Sequence, residues 1–291
     1  MKDMGFITPE IEKEFLAAKD EIGIEEFYNH FCYKFGKPVL NFVKTLVVNL
    51  PGTCYANCSY CIDSCLRKNV INYNDFLKVC KTTFEEFDDI KEVSITGGSL
   101  PAIEFNMLIE MINQYYPNVK ITWNTNGIMI DENYDVSKIK YINLHRNSIC
   151  DIKNKEVFKT SKKILSVEEA KKLFGERLCI RVTVDENFNL DDYVSLNVPL
   201  YINKMLPGDD ITNTVFDNVL SKLNISEKVD IRRRNQYLNC TYKNTNVRVC
   251  MGDKLATRVS GRYPVYLNVA IIHRSGKVCG SWYEDDKLLY P

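Results

Sequence analysis

Six short runs of apolar and β-branched residues recur along the chain, at residues 44 to 50, 92 to 96, 119 to 124, 141 to 144, 179 to 184 and 199 to 203. Most are separated by stretches with helical periodicity, at 74 to 88, 103 to 115, 154 to 164 and 167 to 174. This alternation constrains the fold more than any other feature. Strands that alternate with helices pair in parallel, because a parallel pair needs a crossover connection, and the helices then cover the sheet. The expected class is therefore α/β. A helical segment over 9 to 35, with Ile11, Phe15, Ile22, Ile24, Phe27 and Phe31 among charges, precedes the first strand. Ligands of such a sheet belong at the carboxyl ends of its strands.

At the first of those ends stands Leu50-Pro51-Gly52-Thr53-Cys54-Tyr55-Ala56-Asn57-Cys58-Ser59-Tyr60-Cys61-Ile62. The C-x3-C-x2-C spacing brings Cys54, Cys58 and Cys61 together. Three soft thiolates can hold three irons of a 4Fe-4S cluster and leave the fourth open to a small molecule. A structural zinc site is the alternative. Zinc takes four ligands, commonly as two close pairs, and Cys65 would be the fourth here.

The triplet, with the aromatic Tyr60 just before its third cysteine, resembles the hallmark of the radical S-adenosylmethionine (radical SAM) enzymes. The resemblance implies a partial (β/α)6 barrel over 44 to 208, with residues 1 to 43 as an N-terminal helical segment and 209 to 291 as a small C-terminal α+β extension. It implies that Cys54, Cys58 and Cys61 bind the cluster and that S-adenosylmethionine (SAM) chelates the open iron. Tyr60 and the backbone of Ile62 would lie near the adenine. The reduced cluster would cleave SAM to methionine and a 5'-deoxyadenosyl radical, which takes a hydrogen atom from the substrate. Flavodoxin or ferredoxin is the kind of electron donor such an enzyme needs.

Further segments are similar to those of the family. Thr96-Gly97-Gly98-Ser99-Leu100-Pro101 resembles the Gly-Gly-Glu-Pro segment that binds the methionine amine, with Ser99 in place of the acidic residue and Leu100 inserted. A structural Gly-Gly turn is the other reading. The Thr125-Asn126-Gly127 turn is similar to that of many radical SAM enzymes. Asn143, His145 and Asn147 alternate at the end of the fourth strand and are candidates for the ribose or carboxylate of SAM. Arg181 stands inside an apolar run, where a charge needs a partner, and the SAM carboxylate would supply it. Met205, after the sixth strand, is the candidate on the adenine side.

In the extension, residues 213 to 225 read as a helix and 229 to 234 as a strand carrying Arg232, Arg233 and Arg234. These arginines are either an anionic grip for substrate or a solvated basic edge. A hairpin is expected over 265 to 272 and 277 to 283, turned by Arg274-Ser275-Gly276. The extension is expected to close the barrel. Its last segment is similar to the part of some radical SAM enzymes that carries a second iron-sulfur cluster, which would make Cys240, Cys250 and Cys279 ligands. Buried free thiols are the alternative. Cys32, Cys80, Cys150 and Cys179 read as buried small hydrophobes.

Acidic and basic residues balance at 38 each, so no overall field steers the chain to nucleic acid or an anionic membrane. The N-terminus lacks the apolar core of a signal peptide, no apolar stretch approaches the length of a membrane span, and the expectation is a cytoplasmic protein. The substrate class expected is a small molecule, a nucleotide or a peptide. The competing function is a non-catalytic protein whose zinc or iron-sulfur centre is structural or senses redox state.

Overall fold

The structure, a computed structural model, describes residues 43–58, 61, 69–204, 210–230, 236–250, 256–258, 264–266, 269–279 and 288–290. The helix expected over 9 to 35 lies outside them. Strands β1 (Thr45–Leu50), β2 (Glu92–Gly97), β3 (Lys120–Thr125), β4 (Tyr141–His145), β5 (Leu178–Thr183) and β6 (Leu200–Asn203) pair in chain order, each parallel to the next. Helices α1 (Tyr73–Glu86), α2 (Ala102–Tyr115), α3 (Asp151–Phe158), α4 (Val167–Phe174) and α5 (Leu190–Val194) fall in the connections; that from β3 to β4 runs without one.

Each strand divides its residues between two faces, because successive side chains point opposite ways. Val93 and Ile95, Ile121 and Trp123, Ile142 and Leu144, and Ile180 and Val182 join one continuous apolar core with Phe76 and Phe84 of α1, Phe105 and Leu108 of α2 and Phe174 of α4. Trp123 anchors it, tilted on Phe105 at 4.5 Å and stacked with Tyr134 at 5.7 Å. The alternate positions, Ser94, Thr96, Thr122, Asn124, Asn143, His145, Arg181 and Thr183, form the opposite, inner face. That face is mostly polar.

Local signals fix the helix starts. Asn72 caps α1 by accepting from Asp75 N–H at 3.0 Å, and Ser166 and Glu169 form a capping box at α4. The helix expected over 154 to 164 instead spans α3 and stops where Lys159 turns left-handed, at φ 48°. Beyond it, Ile164 bridges to Ile128.

Helix α6 (Asp210–Lys222) opens the extension, followed by β7 (Asn224–Asp230), β8 (Gln236–Tyr242) and β9 (Thr245–Cys250). The turn from β8 to β9 uses Lys243 and Asn244 at φ 45° and 63°, the two left-handed residues of a type I′ hairpin. β9 runs parallel to β6. A short pair, β10 (Ala256–Arg258) and β11 (Pro264–Tyr266), stands apart. Then β12 (Val269–Ile272) runs parallel to β1 on the side away from β2, and β13 (Val278–Cys279) and β14 (Leu288–Tyr290) complete that flank. The expected hairpin is present between β12 and β13, turned at Arg274-Ser275-Gly276, with part of each expected arm outside the described residues. Among the described residues the strand order ends in β14 on one side and β7 on the other. The extension therefore widens both edges of the six-stranded core, and among the described residues no strand pairing joins those edges.

Candidate active site at the carboxyl edge of the sheet

The loop after β1 is braced against the loop after β2. Gly98 N–H donates to Leu50 O at 3.2 Å and Ser99 N–H to Thr53 O at 3.3 Å. A Cβ on Gly98 would lie 1.7 Å from Gly52 O, and one on Gly52 would lie 1.6 Å from Ser99 O. Gly97 sits at φ 95°, with Asn49 Oδ1 1.9 Å from where its Cβ would be. Glycine at these positions thus serves the contact between the two loops, whatever else approaches them.

Within the cysteine loop, Cys61 N–H donates to Cys58 O at 3.3 Å and Asn57 N–H to Phe158 O at 2.8 Å. Ala56 packs with Ile128, Phe158 and Ile164, and Cys54 and Cys58 lean on that cluster. All three thiols are partly exposed to a cavity of about 290 Å3. Gly97, Gly98, Ser99, Asn126, His145 and Arg181 line the same cavity. Tyr60, Ile62, Met205 and Arg232 to Arg234 lie outside the described residues.

An amide and guanidinium ladder crosses the inner face beneath this cavity. Asn124 Nδ2 donates to Ser94 Oγ at 3.0 Å, while its Oδ1 accepts from Asn143 Nδ2 at 2.9 Å and from Arg181 Nη1 at 2.7 Å. Arg181 Nη2 reaches Asn203 Oδ1 at 3.5 Å, and the guanidinium lies 5.2 Å over the Tyr201 ring. The charge in the apolar run is met by amide oxygens and a ring, not by a carboxylate.

His145 Nε2 lies 2.8 Å from Asn147 Oδ1, and with that oxygen as acceptor the ring proton is on Nε2. Burial, reinforced by Arg181 alongside, pushes its pKa down to about 4. The imidazole is neutral at physiological pH. Arg146, its neighbour, points the other way and is fully buried. It donates to the carbonyls of Asn126 (2.9 Å), His145 (2.7 Å) and Leu165, and burial lowers its pKa only to about 10, so it stays a cation. Buried Asn154 accepts from Asn147 N–H at 2.9 Å and donates to Ser148 O at 2.6 Å. Arg146 and Asn154 thus hold the loops that carry Asn126 and His145. Sequence reasoning missed both, along with Asn124 and Asn203; a period-two run of amides on strands β3, β4 and β6 was the available signal.

Among the described residues no three His, Cys, Asp or Glu side chains converge closely enough to hold a metal ion, the loop thiols included. Cys54 Sγ instead accepts a 3.9 Å contact from Asn126 Nδ2. The cavity wall has the soft donors an iron-sulfur cluster takes, on a loop that shares its cavity with the glycine segment, and in donor type it fits that group. The second cluster does not fit. Val247 and Val249 face the helices, so Cys250 falls on the inner face, whereas Cys240 pairs with Val247 and joins the outer core. Cys279 stands beside Ile271 at the opposite flank of the sheet. Cys240 and Cys279 are buried thiols, as is Cys80, but Cys150 is exposed at the start of α3 and Cys179 is only partly covered on the inner face. Cys32 lies outside the described residues.

No protein-family model matches the chain, and no curated protein matches it in sequence. Among solved structures it is similar to Streptococcus suis SuiB, a radical SAM enzyme, with a TM-score of 0.53 and 13% identity over 94% of this chain and 71% of SuiB. SuiB bound to S-adenosylmethionine gives 0.53 and 15% over the same shares, and SuiB bound to its precursor peptide SuiA gives 0.50 and 13% over 88% and 62%. Similarity at such identity is similarity of architecture: the chain shares the fold of SuiB.

Proposed function

We propose that this chain is a radical SAM enzyme that takes a hydrogen atom from its substrate. One observation carries the reading. Cys54, Cys58 and Cys61 line a single cavity with Gly97, Gly98, Asn126, His145 and Arg181, at the carboxyl ends of parallel strands, in a fold shared with a protein that binds SAM. When bound there, a 4Fe-4S cluster and SAM would supply one-electron cleavage to methionine and a 5'-deoxyadenosyl radical.

The chain's own residues would bind, orient and exclude water. Cys54, Cys58 and Cys61 would hold the cluster. With the N–H groups of Gly98 and Ser99 engaged by the cysteine loop, the glycine segment offers a ligand its carbonyl oxygens, which is what an ammonium group requires. Arg181 would bind the SAM carboxylate and is already oriented by Asn124 and Asn203. Neutral His145 would donate or accept a hydrogen bond at the ribose. Tyr60, Ile62 and Met205 would complete the adenine side. The similarity to SuiB bound to SuiA favours a peptide as substrate over a small molecule or nucleotide. Flavodoxin or ferredoxin would supply the electron. Among the described residues no helix is long and apolar enough to cross a membrane.

The test is anaerobic reconstitution with iron and sulfide, followed by SAM and dithionite. Wild-type protein should form 5'-deoxyadenosine, and a variant with all three cysteines changed to Ala should not. Equal product from both would end this reading, and a tightly held zinc in place of iron would favour the regulatory one.

A further inference from the structure

Arg146 is among the largest fully buried side chains, and it is charged. Its two Nη groups donate to the carbonyls of Asn126, His145 and Leu165, and its Nε is buried with no hydrogen-bond partner. Among the described residues it makes no ion pair. Burial lowers its pKa, and Asp151 offsets part of that only through space. Carbonyl dipoles soften the cost of burying a cation, but they bring no negative charge to match it.

The position of this charge says what it serves. Asn126, whose carbonyl accepts from Arg146 at 2.9 Å, turns its side-chain Nδ2 to Cys54 Sγ at 3.9 Å. The amide is oriented by Ile128 N–H, which donates to its Oδ1 at 3.0 Å and so leaves the N–H side for the sulfur. The cysteine loop rests on the same turn, because Ala56 packs with Ile128 and both Cys54 and Cys58 lean on that cluster. Arg146 lies directly behind the turn: a Cβ on Gly127 would come within 3.3 Å of its Nη2. With one residue between them, the guanidinium and the Cys54 sulfur are about 12 Å apart at most.

Reduction adds one negative charge to a cluster already negative through its three thiolates. Arg181 faces the cavity, where the SAM carboxylate would neutralise it. Arg146 is sealed from ligand and from water, so its charge is neither neutralised nor screened. Over about 12 Å, at an effective dielectric constant of about 20, that charge favours uptake of one electron about tenfold. We propose that Arg146 and Asn126 raise the reduction potential of the cluster, Asn126 by donating to the Cys54 thiolate and Arg146 by its buried charge behind it. The electron comes from the donor that the proposed activity already requires, and no bond is made or broken in this step. The inference rests on the cluster proposed above. Arg146 touches neither cluster nor SAM in this role and is a positioning residue.

The test is a redox titration of the reconstituted full chain, without SAM, followed by electron paramagnetic resonance. Wild type is compared with Arg146→Gln, Arg146→Lys, Asn126→Ala and Arg177→Gln, the last removing an arginine that donates to Ile139 O at 3.1 Å away from the cysteine loop. At a fixed potential, Arg146→Gln should hold about tenfold less reduced cluster, a fall of about 59 mV for one electron. Asn126→Ala should hold about threefold less, and Arg177→Gln the same as wild type. Arg146→Lys keeps the charge but cannot span three carbonyls, so it separates charge from scaffolding. It should stay near wild type; a fall equal to that of Arg146→Gln overturns the proposal, as does equal potential in Arg146→Gln and wild type. If Arg146→Gln does not fold, as judged by circular dichroism, Asn126→Asp decides. It keeps the acceptor for Ile128 N–H and loses the donor to sulfur, so its potential should lie below that of Asn126→Ala, and a wild-type potential overturns the proposal. A wild type that takes up no 4Fe-4S cluster overturns the proposed function together with this inference, whereas a cluster whose potential ignores both residues overturns this inference alone.

Discussion

The two faces of the same six strands do different work. On the outer face Val93, Ile95, Trp123, Leu144 and Ile180 are buried against helices, and nearly any apolar residue of similar volume would serve there. On the inner face Asn124, Asn143, Arg181 and Asn203 are joined by hydrogen bonds whose donors and acceptors must match one for one. The outer face defines the fold; the inner face defines what the fold holds. Changes to the outer face should cost stability, and changes to the inner face should cost ligand binding first.

The largest expected effect breaks the outer face. Trp123→Ala removes a side chain packed on Phe105, Tyr134 and Phe174 and should destabilise by about 3 to 5 kcal/mol in urea unfolding. A loss under about 1 kcal/mol would show that this face does not support the fold. Next comes Asn124, the inner-face hub. Asn124→Ala removes the oxygen that accepts from both Arg181 Nη1 and Asn143 Nδ2 and should cost about 1 to 3 kcal/mol. Asn124→Asp sharpens the contrast, because a carboxylate restores a partner for Arg181 while repelling the SAM carboxylate. It should keep stability near wild type and weaken SAM binding about tenfold or more, as read by equilibrium dialysis. If both variants bind SAM as wild type does, the ladder is structural only.

The smallest effect is a pH dependence. His145 is held neutral, with its pKa pushed down from 6.5 to about 4, so between those values the unfolded chain binds a proton that the folded chain refuses. The folded state should therefore lose stability as pH falls from about 6.5 towards 4, and His145→Gln should lose less over that window. Parallel curves for the two proteins would place the ring in a more open environment.

The sequence showed the outer face most clearly. All six core strands fall within two residues of their apolar runs, because β-branched clusters bounded by polar turns have few other uses. Arg181 stood out as a charge in such a run. Asn124 and Asn203 did not, because asparagine at a strand end also reads as the start of a turn. Arg146 and Asn154 were invisible for a different reason. Arg146 reaches backbone carbonyls some twenty residues away, and Asn154 binds backbone groups of the short loop before its own helix, so neither bond leaves a pattern of residue types in the chain. Gly97 and Gly98 were legible as glycines needing close approach, but the approaching groups are Asn49 of β1 for Gly97 and Gly52 of the cysteine loop for Gly98. The cysteines of the extension show the limit of spacing. The resemblance groups Cys240, Cys250 and Cys279 as ligands, yet the register of β8 against β9 turns Cys240 and Cys250 to opposite faces.

The central claim is that the three cysteines of one loop hold a cluster with an iron open to SAM. Electron paramagnetic resonance of the anaerobically reconstituted, dithionite-reduced chain tests it most directly, recorded without and with SAM. A reduced 4Fe-4S signal that changes shape when SAM is added, and is absent when Cys54, Cys58 and Cys61 are all changed to Ala, is the predicted result. A signal indifferent to SAM, or one that survives the triple change, would contradict it.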